Sequence, residues 1–334
     1  MSSKPIMYSS HDAGAPQVAS VAVQNRHAQS LKNILVPALV TGYGDKPAAG
    51  WKLVHEHELG FTLSSGDGSF FVNFVSNLSA SNPYPAMHSQ TIHVYAATSF
   101  SGSDGAKMQG ANLCSGTYRS GNEEASYYHR NNLGDNPAYI FWNARNEAQW
   151  SIVADSKTFV FNVSVKSNDS GVVRYSLSIY AGEVASNTPA KANLVIGGSI
   201  DRYDGYTSIS GLGRGYTMPI NPLNGLSESV DVRVYPDNRL SSRAGGSVYQ
   251  TRNHIELFQP FLLADNKWFG KLRGVVNDPM IAEYSYWQDY LIQLGFDPDF
   301  NNCNKPIDID GHLYCYARHA SCGGMYMTTN PEFW

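Results

Sequence analysis

The segment CNKPIDIDGHLYCYARHASC gathers Cys303, His312, Cys315, His319 and Cys322, the thiolate and imidazole donors from which tetrahedral zinc sites are built. Its spacing matches no standard zinc motif. On a helix His312, Cys315, His319 and Cys322 would share a face, but Gly311, Gly323 and Gly324 leave room for only a short one. The segment reads better as a hairpin, with residues 312–318 and 325–329 as its strands. On a strand Cys315 faces opposite to His312, which works against one compact site. A buried thiol, a late-formed disulfide and surface histidines remain the other readings. The expectation is no metal and no cofactor, with those five residues as the metal candidates.

Acid–base chemistry has a second set of candidates. Asp104, Glu123, Glu124 and Asp135 accompany His129 in one glycine-rich stretch, and carboxylates paired across a cleft can hydrolyse glycosides. Beside Arg119 and Arg130, such loop acids read better as solvated ion pairs. No nucleophile elbow, His-Glu-x-x-His or Cys–His signature accompanies them, so no catalytic residue is expected and the chain is read as a non-enzyme. Gly211-Leu212-Gly213-Arg214-Gly215 has neither the spacing nor the following helix of a phosphate-binding loop. Recognition is the better use of the polar stretches. The run SGTYRSGNEEASYYHRNN (residues 115–132) has the Tyr, Ser, Gly and Asn of loops that grip surfaces or sugars. Tyr118, Tyr127, Tyr128 and His129, with Tyr206 further on, are the partner-binding candidates.

Those loops need a scaffold, and its pattern is β. From Trp51 onward apolar and polar residues alternate in short runs: 52–55, 60–63, 70–75, 91–98, 138–143, 149–154, 158–165, 172–181 and 194–196. Ser65-Gly66-Asp67-Gly68 and Asp155-Ser156-Lys157 supply turns, and residues 99–136 read as a long insertion loop. The expectation is a mostly β chain, an antiparallel sandwich or jelly-roll-like main domain over residues 31–225. A smaller C-terminal β segment, 226–334, carries a short helix through Ile281, Tyr284, Trp287, Leu291 and Leu294. Residues 1–30 read as an extended arm that orders on a partner surface. Between arm and strands, Ser30 would cap a short helix limited by Pro37. A corner at LVTGYGDKPAAGW then follows, where Gly42, Gly44 and Gly50 permit positive φ, Pro47 fixes its own φ, and Tyr43 and Trp51 complete the block.

Composition narrows the partners. Of 334 residues only 16% are charged, against about 25% in soluble domains, while 21 Tyr, 14 Phe and 6 Trp supply aromatic surface. Coverage by other subunits would account for that balance, as would a Tyr- and Ser-rich solvent face. A net charge of −4 argues against a nucleic-acid groove. No apolar run approaches the roughly 18 residues of a membrane span, and residues 1–12 lack the apolar core of a secretory signal, so assembly in a cytoplasm is expected.

Five blocks in order, YSSHDAGAP (8–16), LVTGYGDKPAAGW (39–51), WSIVADSKTFVF (150–161), IYAGEVAS with NLVIGG, and GKLRGV (270–275), resemble a family of structural proteins of tailed-phage virions and prophages. The second block matches a pattern L-V-x-G-Y-G-x-K-x-A-A-G-W throughout. Gly182-Glu183 departs from the Gly-Asp of that pattern, and the C-terminal cysteines and residues 99–136 are particular to this chain. The resemblance implies a β-rich virion component of the tail, baseplate or neck, without inherited catalytic residues. It would be a homo-oligomer in contact with other virion proteins. The alternatives are a peripheral binder of a host-surface glycan and a capsid decoration protein.

Overall fold

The computed structural model describes residues 4–18, 27–76, 91–114, 117–118, 138–141, 148–166, 173–189, 191–201, 215–227, 232–235, 257–277, 295–296, 302–317 and 325–334. Among them the chain is mostly β, with antiparallel pairing throughout. The central layer is a seven-stranded sheet in the order Ile6–Ser9, Ala148–Ala154, Thr158–Lys166, Val173–Glu183, Asn193–Asp201, Gly215–Thr217, Thr117–Tyr118. A five-stranded sheet, Lys52–His57, Gly60–Ser64, Phe71–Ser76, Thr91–Ala97 and Ala138–Phe141, forms a second layer. Two four-stranded sheets come mostly from the C-terminal third. One orders Ala185–Ser186, Lys267–Lys271, Phe261–Ala264 and Val232–Tyr235; the other orders Val275–Asn277, Met325–Thr328, His312–Ala317 and Ile307–Ile309.

Strand alternation decides which layers meet. Tyr8, Trp150, Ile152, Ala154, Phe159, Phe161, Val163, Ile179 and Ala181 point to one face of the central sheet, where they pack with Phe61, Leu63, Val72, Phe74, Ile92 and Val94 of the second layer. Phe159, Phe161 and Val163 thus share the face that forms the sandwich core. Residues of the opposite parity, Met7, Val153, Val160, Tyr180 and Leu194, pack with Leu262, Phe269, Leu272, Val275, Cys315 and Met327. The C-terminal segment thus closes the second face of the main sheet and shares its core.

Three local expectations change. Residues 6–9 are an edge strand of the central sheet, paired Ile6 to Ala154 through Ser9 to Ser151, with Met7 and Tyr8 buried on its two faces. The surface on which this arm orders is its own chain. The helix begins at His27, so Ser30 is a buried helical residue and not its cap, and after Val36 the chain continues through a π-turn, Pro37–Thr41. Pro37 widens the helix there without ending it. The helix and the turn that follows it bury Leu31, Ile34, Leu35, Ala38 and Leu39 in the sandwich core. Residues 99–136, read as loop, contain the hairpin Gly102–Asp104/Lys107–Gln109 and the strand Thr117–Tyr118. Likewise the 194–196 strand extends to Asp201, and Gly215–Thr217 pairs with it inside a stretch read as loop. The helix expected at 281–294 falls outside the described residues.

The outer face of the second sheet holds His93, which burial, and secondarily the charge of Lys107, push down to about 4 from the usual 6.5. Between those values the unfolded chain takes up a proton that the folded chain refuses. Stability is therefore undiminished by this group above pH 6.5, falls as pH drops toward 4, and by then has lost about 2–3 kcal/mol. Urea titrations at intervals from pH 7 to 4 should show this decline, and His93→Gln should flatten it; an equal slope in the variant rules this histidine out as its source.

Candidate functional site

Glycine at the corner answers to contacts as well as to turn geometry. Gly42 has φ 80°, and its N–H closes the π-turn on the Pro37 carbonyl at 2.8 Å; a Cβ there would sit 2.7 Å from the Lys46 carbonyl oxygen. Gly44, at φ 54°, abuts the Ala13 carbonyl so closely that a side chain would collide with it. The third expected position, Gly50, also has positive φ, at 98°. Tyr43 and Lys46 exchange backbone hydrogen bonds of 3.1 and 2.9 Å across the tip.

The corner clamps the first strand. Tyr8 donates its hydroxyl to the Pro47 carbonyl at 2.8 Å, Tyr43 donates to Asp12 Oδ2 at 2.8 Å, and Lys46 Nζ donates to the Met7 carbonyl at 3.1 Å. Burial raises both phenols above their usual range, and the Asp12 carboxylate adds to that of Tyr43. Trp150 Nε1 donates to the Pro16 carbonyl at 2.9 Å, and its ring meets Tyr43 edge-on.

At the other end of the corner, Trp51 Nε1 donates to the Asp155 carbonyl at 2.9 Å. Asp155 opens the turn between two central strands. Its Oδ1 accepts from the Lys157 and Thr158 amides, each at 2.8 Å, and its Oδ2 accepts from Arg273 Nη2 at 2.7 Å. Arg273 Nη1 donates to Thr158 Oγ1 at 3.2 Å and lies 3.7 Å from Glu183 Oε1, whose other oxygen pairs with Lys157 at 3.0 Å. The guanidinium also lies 5.3 Å from the Trp334 ring centroid. Arg273 and Asp155 are both buried, and the fork of Arg suits such a pair. All of the quoted blocks but NLVIGG thus contribute a residue to this junction or to the clamp at the other end of the corner. Its charged groups are spent on one another and on backbone, which suits a bolt between layers better than a reaction centre.

A second buried polar set lies on the C-terminal side of the central sheet. Ser9, Ser151, Asn162 and Ser178 face one another in register across four strands. Asn304 fills this row from a backbone with φ 61°, a left-handed position that Asn tolerates. Its Oδ1 accepts from Ser151 Oγ at 2.8 Å and Asn162 Nδ2 at 2.7 Å; its Nδ2 donates to the Gln149 carbonyl and Ser164 Oγ, each at 3.0 Å. Ser9 Oγ donates to the Asn304 carbonyl at 2.8 Å. Both ends of the amide are satisfied, which is what burial demands.

The expected site residues are scattered. Tyr118 lies on the short edge strand; Tyr127, Tyr128, His129 and Tyr206 lie outside the described residues, as do Glu123, Glu124 and Asp135, while Asp104 is exposed on a hairpin. His312 and Cys315 occupy one strand, paired as expected with 325–328, and Cys315 points into the core. Cys303 is buried beside Asn304, and His319 and Cys322 lie outside the described residues. Among the described residues no group of three or more His, Cys, Asp or Glu is placed to hold a metal. Asn304 and the Asp155–Arg273 pairing were missed by sequence reasoning. The pairing had a visible trace in the two blocks that carry its residues. No family model matches the chain, and a search of curated proteins finds no match.

Proposed function

We propose that this chain is a non-enzymatic structural subunit of a tailed-phage virion, placed in the tail, baseplate or neck and held there by neighbouring subunits. The observation that supports the reading is the convergence of most of the blocks by which the sequence resembles such proteins. Spread from Tyr8 to Val275, they meet at one buried clamp and bolt, so the resemblance lies in architecture and not in a reactive cleft. Exposed apolar residues add support: Leu226 (59% exposed), Phe258 (46%) and Trp268 (54%) are large side chains that a neighbour's surface would cover. Trp268 and the partly exposed Phe261 stand on adjacent strands of one sheet, and aromatic side chains are enriched in interfaces.

Cryo-EM or immunogold labelling of intact particles tests this directly. The expected result is the protein in several copies within the tail, baseplate or neck. Its absence from purified particles overturns the proposal. Saturable binding of the purified protein to host cells or a glycan array would favour the peripheral host-surface reading instead.

A further inference from the structure

Two exposed patches of this chain complement each other. The first is the outer face of the hairpin Phe261–Ala264/Lys267–Lys271, where Leu263 lies opposite Trp268 and Phe261 opposite Lys271. Trp268 is held there, because its Nε1 donates to the Gly270 carbonyl at 3.1 Å. Leu262 and Phe269 turn inward to the core, so the outside presents an indole, a phenyl ring and the ammonium groups of the exposed Lys267 and Lys271. Asp265, in the turn, is the one carboxylate of this hairpin.

The second patch is the tip of the hairpin Ile307–Ile309/His312–Ala317, whose first strand is, among the described residues, the end strand of its sheet. Ile307 packs against the cluster of Tyr314, Tyr316 and Tyr326, whereas Ile309, two residues on, is 39% exposed between the exposed Asp308 and Asp310. Asp308 Oδ1 accepts from the Gly311 amide at 2.9 Å, and Asp310 and Gly311 turn the chain at φ 54° and 79°. An aliphatic side chain is thus presented on a tight turn between two carboxylates, and residues 306–317 contain no lysine or arginine to oppose them.

We propose that the Asp308–Asp310 tip of one copy of this chain docks on the Trp268 face of a second copy, with Ile309 against the indole and the carboxylates toward Lys267 and Lys271. An exposed aliphatic group between acids meets exposed rings between cations, so the apolar and the charged parts both find partners. The contact joins two different surfaces and therefore runs head to tail, which gives a closed ring or an open filament. It names the partner of the exposed Trp268 surface and rests on the reading of the chain as a subunit present in several copies. A hairpin tip on a sheet face covers less than roughly 1,000 Å², so one such contact is weak and gains strength by repetition around an assembly.

The test uses the purified natural protein, as an equal mixture of unlabelled and heavy-nitrogen-labelled chains. A water-soluble carbodiimide joins amines to touching carboxylates without a spacer, and mass spectrometry maps the linked peptides. Expected are links from Lys267 or Lys271 to Asp308 or Asp310 between chains of different label. Sedimentation velocity over a concentration series should show self-association that added salt weakens. Trp268→Ala should abolish it, and Asp308→Asn with Asp310→Asn, which keeps the acceptor for Gly311 and a residue tolerant of left-handed φ, should weaken it about tenfold. Three results overturn the proposal: Lys267 and Lys271 linked only within a chain or only to other carboxylates, self-association that the two asparagine changes leave intact, as pairing of one Trp268 face on another would give, or a protein that stays monomeric throughout. Each of them leaves localisation in particles standing. Absence from particles, with these links present, would remove the virion reading and keep the contact.

Discussion

Arg273→Met should lower the free energy of unfolding by about 3–5 kcal/mol, because it leaves the Asp155 carboxylate buried without its cation. Asp155 Oδ2 accepts a 2.7 Å bond from Nη2, and the Asp155 side chain has no exposure to water. Lys157 and Glu183 stay paired with each other and cannot take the place of the guanidinium. The loss reads as a lower urea midpoint at unchanged slope, or as a Tm drop of about 10 °C. Arg273→Lys should recover only part, since one ammonium cannot reach both Asp155 and Thr158 as the fork does. Asp155→Asn keeps the Oδ1 acceptor for the Lys157 and Thr158 amides while removing the charge. Combined with Arg273→Met it should therefore cost less than the two single changes together. Strict additivity would mean that the pair is not coupled and that the bolt is misassigned.

Deleting residues 1–16 should remove more than half of a typical domain's 5–15 kcal/mol. Met7 and Tyr8 are buried on opposite faces of the central sheet, and fully burying each such side chain is worth about 1.5–3 kcal/mol. The deletion also unpairs the Ala148–Ala154 strand along one edge, frees the Pro47 carbonyl, takes Asp12 away from Tyr43 and Lys46, and removes the Ser9 hydroxyl from the polar row. The expected product is insoluble or loses cooperative unfolding, and a truncated protein with an unchanged Tm would show that this strand is dispensable. An arm that ordered only on a neighbour would give the opposite result, a stable monomer that fails to assemble. Circular dichroism melts of the purified forms separate the two.

Much of the sandwich was legible because its strands are short β-branched and aromatic runs bounded by turn residues, as in Phe71–Ser76 and Thr158–Lys166, even though the second of these is buried on both faces. Ile6–Ser9 was not. It is four residues long, buried on both faces and therefore without alternation, and its pairing partner lies far along the chain at Ser151–Ala154. The hairpin at 102–109 carried a signal that polar composition obscured: Asp104-Gly105 marks its turn. Of the site, the corner glycines were readable from residue type because left-handed backbone selects them. Asn304 was not, since nothing local distinguishes it from the neighbouring Asn301 and Asn302; its role comes from a row of hydroxyls supplied by four distant strands. Of the five metal candidates, Cys315 is turned into the core and Cys303 is buried beside Asn304, while His319 and Cys322 lie outside the described residues.

The bond from Ser9 to Asn304 spans 295 positions of chain. A ribosome adding about 5–20 residues per second needs roughly 15–60 s to make that interval. The strand that pairs with Ile6–Ser9 is made about halfway through that interval, but Asn304 and the C-terminal strands that cover the second face of the central sheet come only at its end. The nascent protein thus carries the second face of its central sheet, with Met7, Val153, Val160 and Tyr180, uncovered until translation is nearly done.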